Sequence, residues 1–131
     1  MSISFFMSSV KPPIAEYLSD YRIDILDYEI QLKILYPFGN FIRPKNSTYL
    51  LRWNLNSIDK LGVDGGIQGD RITVSFSNGY WNTNDYILWH RRYIPENVPL
   101  YLFEENLQVI HLLTAKTTES DLNVLLENFE T

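Results

Sequence analysis

Apolar and polar residues trade places along this chain mainly with the two-residue period of a strand, and at both ends the period becomes that of a helix. Ile14, Tyr17, Leu18 and Tyr21 follow Pro12-Pro13 at i, i+3, i+4 and i+7. Proline is acceptable in a first helical turn, so the spacing predicts an amphipathic helix from Pro13 to Asp20. Tyr28, Ile30, Leu32 and Ile34 then alternate with Glu29, Gln31 and Lys33, which predicts a strand over Tyr28–Leu35 with one wet face. Thr48–Leu55, with Tyr49, Leu51, Trp53 and Leu55 on one side, is expected to pair with it antiparallel across the turn-rich Pro37–Ser47. Arg71–Phe76 and Tyr86–Ile94 alternate in the same way and are expected to form a hairpin around the loop Ser77–Asp85.

The remaining segments are less regular. Asn56–Leu61 is compatible with one helical turn, and Gly62–Asp70, which holds four of the six glycines, reads as an exposed mobile loop. Beyond the break at Pro95–Pro99, the apolar runs Leu100–Phe103 and Gln108–Leu113 fit either a hairpin or a single helix. Thr118 stands three residues before Asp121 as in a capping box, and Leu122, Leu125, Leu126 and Phe129 share one helical face, so the chain is expected to end in a helix. The sum is an α+β fold: one domain over residues 1–131, an antiparallel sheet of five to six strands with N- and C-terminal helices packed on it.

Composition narrows the function classes. With 131 residues, 45% of them hydrophobic, the chain can bury a core without a metal or disulfide, and the absence of cysteine removes thiol nucleophiles and cysteine-based zinc sites. Met1–Val10 has no basic region and stops at Lys11-Pro12-Pro13, and no apolar run approaches the roughly 20 residues of a membrane span, so neither a signal peptide nor a membrane partner is expected, and the location expected is the cytoplasm. The net charge of -5 is unevenly placed. From Glu96 onward seven acids face Lys116 alone, whereas residues 1–95 hold ten cations and nine acids. That acidity argues against nucleic acid as a partner and favours a basic protein, although acidic surfaces also serve solubility.

Catalytic chemistry is hard to assemble from what remains. His90 and His111 are the only histidines, no His-x-x-x-His pair exists, and no metal or cofactor is expected. Asp64-Gly-Gly-Ile-Gln-Gly69 superficially resembles a phosphate loop, but the strand before and helix after that such loops require are in the wrong order. Aromatic residues make up 15% of the chain. Most must be core, while Tyr80 and Trp81 fall in a polar loop where they could equally anchor a partner or fold back over the sheet edge. On the expected strand, Trp89, Arg91 and Tyr93 would share one face, with His90 on the other. That set is a candidate ligand site, or equally a cation-π ladder with a hydrogen-bonded histidine.

Small size, missing chemistry and local acidity together suggest a non-catalytic, protein-binding inhibitor. The alternating Tyr28–Leu35, the Trp53-Asn-Leu55 strand end, the aromatic Tyr86–Ile94 and the acidic C-terminal third resemble the organisation of bacterial toxin-system immunity proteins, of the contact-dependent growth inhibition kind. The resemblance implies a cytoplasmic inhibitor that occludes the active or substrate-binding site of a cognate toxin, often a basic nuclease. It assigns no functional residue. The residues expected to meet the partner are Tyr80, Trp81, Glu96, Glu104 and Glu105. The alternative is a small-ligand or enzyme domain with an aromatic-lined pocket around His90, built from Trp89, His90, Arg91 and Tyr93; edge strands also leave a homodimer open.

Overall fold

Ser4-Phe-Phe-Met-Ser8, too short a run to stand out in the sequence, forms an interior strand of the sheet, with Phe5 and Met7 turned to the core. The structure, a computed structural model, describes residues 4–11, 20–60, 62–77, 83–106 and 110–127. In chain order these hold β1 (Ser4–Ser8), α1 (Ile25–Leu35), β2 (Asn40–Ile42), β3 (Tyr49–Leu55), β4 (Val63–Gln68), β5 (Thr73–Ser77), α2 (Thr83–Tyr93), β6 (Leu100–Glu104), β7 (Ile110–Leu113) and α3 (Glu119–Glu127). The class is α+β, as the pattern predicts, with seven strands where five to six were expected. All seven pair antiparallel in the order β2-β3-β4-β5-β1-β6-β7.

One face of the sheet is apolar and carries the helices. Cross-strand register places Trp53, Gly65, Phe76 and Phe5 in one row, with Ile67, Val74, Met7 and Leu102 in the next. Tyr28 and Leu32 of α1, Tyr86 and Ile87 of α2, and Leu122 and Leu126 of α3 join these residues in one core. Gly65 has a steric reason: a Cβ there would lie 2.6 Å from the Ser75 carbonyl oxygen and 2.8 Å from Trp53 Nε1. Its bare backbone lets the Trp53 indole lie across β4 toward Tyr86, whose ring centre is 5.8 Å away.

Three expectations are overturned here. Tyr28–Leu35 is helix, not strand, because its alternation is the overlap of two helical stripes. Tyr28 and Leu32 face the core, while Leu26, Ile30 and Ile34 face outward at i, i+4 and i+8. Asp24 caps α1 by accepting the Asp27 N–H at 3.1 Å. Tyr86–Ile94 is likewise no strand: α2 runs Thr83–Tyr93, with Asp85 in its first turn and Arg91 and Arg92 in its last, as the helix dipole favours. The expected loop at Gly62–Asp70 contains β4, mostly buried between β3 and β5. The hairpins therefore differ from those expected, since β3 pairs with β2 and β4, and β5 pairs with β4 and β1.

Other expectations hold. Leu100–Phe103 and Gln108–Leu113 resolve into the hairpin alternative, β6 against β7, and β5 covers most of Arg71–Phe76. At α3, Thr118 Oγ1 accepts the Asp121 N–H at 3.2 Å while Asp121 Oδ2 accepts the Thr118 N–H at 2.9 Å, the reciprocal box. Residues 56–60 form no helical turn. The helix expected over 13–20 lies outside the described residues except for Asp20. No helix among the described residues is long and apolar enough to cross a membrane.

Candidate functional site

Because 83–93 is a helix, Trp89 and Tyr93 stay together at i and i+4, while Arg91, expected on their face, points away from them. His90 turns inward. The Tyr28 hydroxyl lies 2.9 Å from His90 Nδ1 and 2.7 Å from the Tyr86 hydroxyl, and all three side chains are fully buried. A chain from Tyr86 O–H to Tyr28 O–H to His90 Nδ1 satisfies both contacts with a neutral imidazole protonated on Nε2. That Nε2 has no hydrogen-bond partner among the described residues. Burial, and then the Arg91 charge, hold His90 down at about 3. Burial also drives the Tyr28 and Tyr86 phenols well above their ordinary range.

Aromatic rings wall this knot in. Tyr93 and Trp89 meet the Tyr28 ring edge-on at 4.9 and 5.0 Å, stack on each other at 5.3 Å, and Trp53 closes the sheet side. Tyr93 donates its hydroxyl hydrogen to Asp27 Oδ2 at 2.7 Å, joining α2 to α1. Arg91 leaves the group altogether: its guanidinium donates to the carbonyls of Leu113, Ile94, Pro95 and Val98 at 2.9 to 3.2 Å, fastening the turn after α2 to β7. A histidine that is uncharged at neutral pH and sealed from water lacks the access a general base needs.

The expected acidic contacts are also separated. Glu96 is exposed in the turn before β6, whereas Glu104 and Glu105 stand at its far end, about 13 Å of strand away. Glu105 is exposed; Glu104 is buried, and its Oε2 accepts the Asn106 N–H at 2.6 Å. Tyr80 and Trp81 lie outside the described residues. Among the described residues, no group of His, Asp or Glu side chains is arranged to hold a metal ion.

What the sequence did not single out is an apolar surface along α1. Leu26, Ile30 and Ile34 form its outer stripe, and Ile34 is 73% exposed. At the C-terminal end of the helix, Leu35 and Phe38 face Ile58, itself 79% exposed, across a cleft of about 500 Å³. Leu88 contributes to its apolar wall, while Asp85, Arg92 and the nearly buried Tyr36 bring polar groups. Burial, then the Asp85 carboxylate, push the Tyr36 phenol up to about 12, with Arg92 opposing. Beside the stripe, Glu29 accepts from Lys33 at 2.8 Å and from Arg43 at 3.1 Å, which holds its carboxyl below the usual range. The available signal was the excess of apolar residues in Ile25–Leu35: seven of eleven positions, more than one buried stripe requires. No family model matches the chain, and neither a curated protein nor a solved structure matches it.

Proposed function

We propose that this chain is a non-catalytic protein-binding inhibitor whose partner docks on the outer stripe of α1. The observation that carries this reading is the exposure of Leu26, Ile30 and Ile34 at helical spacing, with Leu35, Phe38 and Ile58 exposed around the cleft at the C-terminal end of the helix. A helix that is apolar on two opposite faces needs two partners, and α1 has the sheet and α2 on only one of them. Contiguous exposed apolar surface is the usual mark of a protein interface. Large aliphatic and aromatic side chains fixed on a regular helix also lose little conformational freedom when they dock.

Within that class, the resemblance to toxin-system immunity proteins and the excess of acids from Glu96 onward favour a basic toxin as the partner, occluded at its active or substrate-binding site. The contacts are then divided between roles. Apolar groups of α1 supply affinity, and the acids of the C-terminal third hasten encounter without touching the central patch.

The test is co-elution and calorimetry with the product of the gene immediately upstream, for the wild type and for Ile30→Glu/Ile34→Glu, at low and high salt. The expected result is a complex with the wild type, lost in the double variant at unchanged thermal midpoint, with association slowed by salt. No complex with the wild type, or equal affinity in the variant, would overturn the reading.

A further inference from the structure

Asp85, Leu88 and Arg92 recur on one face of α2 at i, i+3 and i+7, and all three line the cleft beside Leu35 and Phe38. Seven helical residues set the backbones of Asp85 and Arg92 about 10 Å apart along the α2 axis. Asp85 and Arg92 are exposed and make no ion pair with each other or with any described residue. Tyr36, in the same lining, feels both charges. The cleft therefore has a negative end, a positive end and an apolar middle, and its volume of about 500 Å³ exceeds what one side chain fills.

A segment in the extended polyproline II conformation has three residues per turn and advances about 3.1 Å per residue, so charges three residues apart lie on one side of it, about 9 Å apart. We infer that this cleft takes a segment of the protein partner in the polyproline II conformation with the pattern basic–apolar–apolar–acidic, its cation at Asp85 and its carboxylate at Arg92. The apolar side chains between them fill the space bounded by Leu35, Phe38, Ile58 and Leu88. The inference rests on the reading of α1 as a docking face and adds the chemistry that the partner must present at one end of it.

The probe is the capped tetrapeptide acetyl-Arg-Trp-Leu-Glu-amide, titrated into the ¹⁵N-labelled full chain. Amide shifts are expected to cluster at 35–38, 56–58 and 85–92. The analogue with both charges replaced by glutamine should bind more weakly by about two- to fivefold per charge removed. Asp85→Asn and Arg92→Gln should weaken the charged peptide by the same factor without changing the neutral one. Asp85→Arg/Arg92→Glu should recover affinity for the sequence with its charges exchanged. No shift at about 10 mM peptide, shifts elsewhere, or equal binding of free indole and the charged peptide at the same amides would overturn the inference. Ile30→Glu/Ile34→Glu separates the two readings, since it should abolish the full partner's binding and leave the tetrapeptide's unchanged.

Discussion

Tyr28 holds two buried partners with one hydroxyl, so its removal strands both. Tyr28→Phe should cost about 1–3 kcal/mol in denaturant unfolding, and Tyr86→Phe less, because the Tyr28–His90 contact survives it. The same knot sets a pH dependence. Folding lowers His90 from 6.5 to about 3, so between those values the unfolded chain binds a proton that the folded chain refuses. This contribution to stability is complete above pH 6.5 and declines by up to about 1.4 kcal/mol per pH unit as the pH falls toward 3. His90→Gln should flatten that slope in urea midpoints measured from about pH 7 to about pH 4. An unchanged slope would assign the acid sensitivity to carboxylates such as Glu29. At Gly65, the 2.6 Å approach of a Cβ to the Ser75 carbonyl has no flexible atom to yield, so Gly65→Ala should destabilise by about 1–3 kcal/mol. The sequence offered His90 as a candidate site but also as a hydrogen-bonded structural residue; the second description fits its position. It could not reveal the main partner, because Tyr28 lies 62 residues away along the chain.

At the scale of elements, α1 shows how a pattern can be read correctly and assigned wrongly. Tyr28, Ile30, Leu32 and Ile34 do alternate with polar residues, yet a helix with apolar stripes on opposite sides produces the same alternation. Leu26 and Leu35 break the strand reading, and Asp24 supplies a cap for the helical one. The two stripes should respond differently to truncation. Leu32→Ala should lose about 2–5 kcal/mol, whereas Ile34→Ala should stay within about 0.5 kcal/mol in the isolated protein. Comparable losses at both positions in chemical unfolding would mean that the outer stripe is already covered. In β4 the misreading has another cause. Gly65 and Gly66 look like loop residues, but the indole of Trp53 and the ring of Tyr49 occupy the space their side chains would need. That requirement arises across strands and leaves no trace in the local sequence. β3, β5 and α3 were legible because their periods were unambiguous and, at α3, the Thr118–Asp121 cap marks the boundary.

For the whole molecule, the class was legible and the topology was not. The strand that completes the sheet, β1, lies between β5 and β6, so its partners are separated from it by roughly half the chain or more. Short-range patterns cannot encode such pairings, and the pairings expected across Pro37–Ser47 and Ser77–Asp85 were misassigned, while β6–β7, one of two alternatives for its segment, is a local hairpin. The docking surface was missed for a related reason: an outward stripe is recognised only after the inward one has been placed against the sheet. With His90 and its two tyrosines sequestered in the core and the apolar residues of α1 left outside, α1 is the proposed interface. Hydrogen–deuterium exchange of the chain with and without the captured partner tests that claim most directly. Slowed exchange confined to 25–38 and 56–58 is the predicted result; protection of the β7 edge or the opposite sheet face, with α1 unchanged, would contradict it.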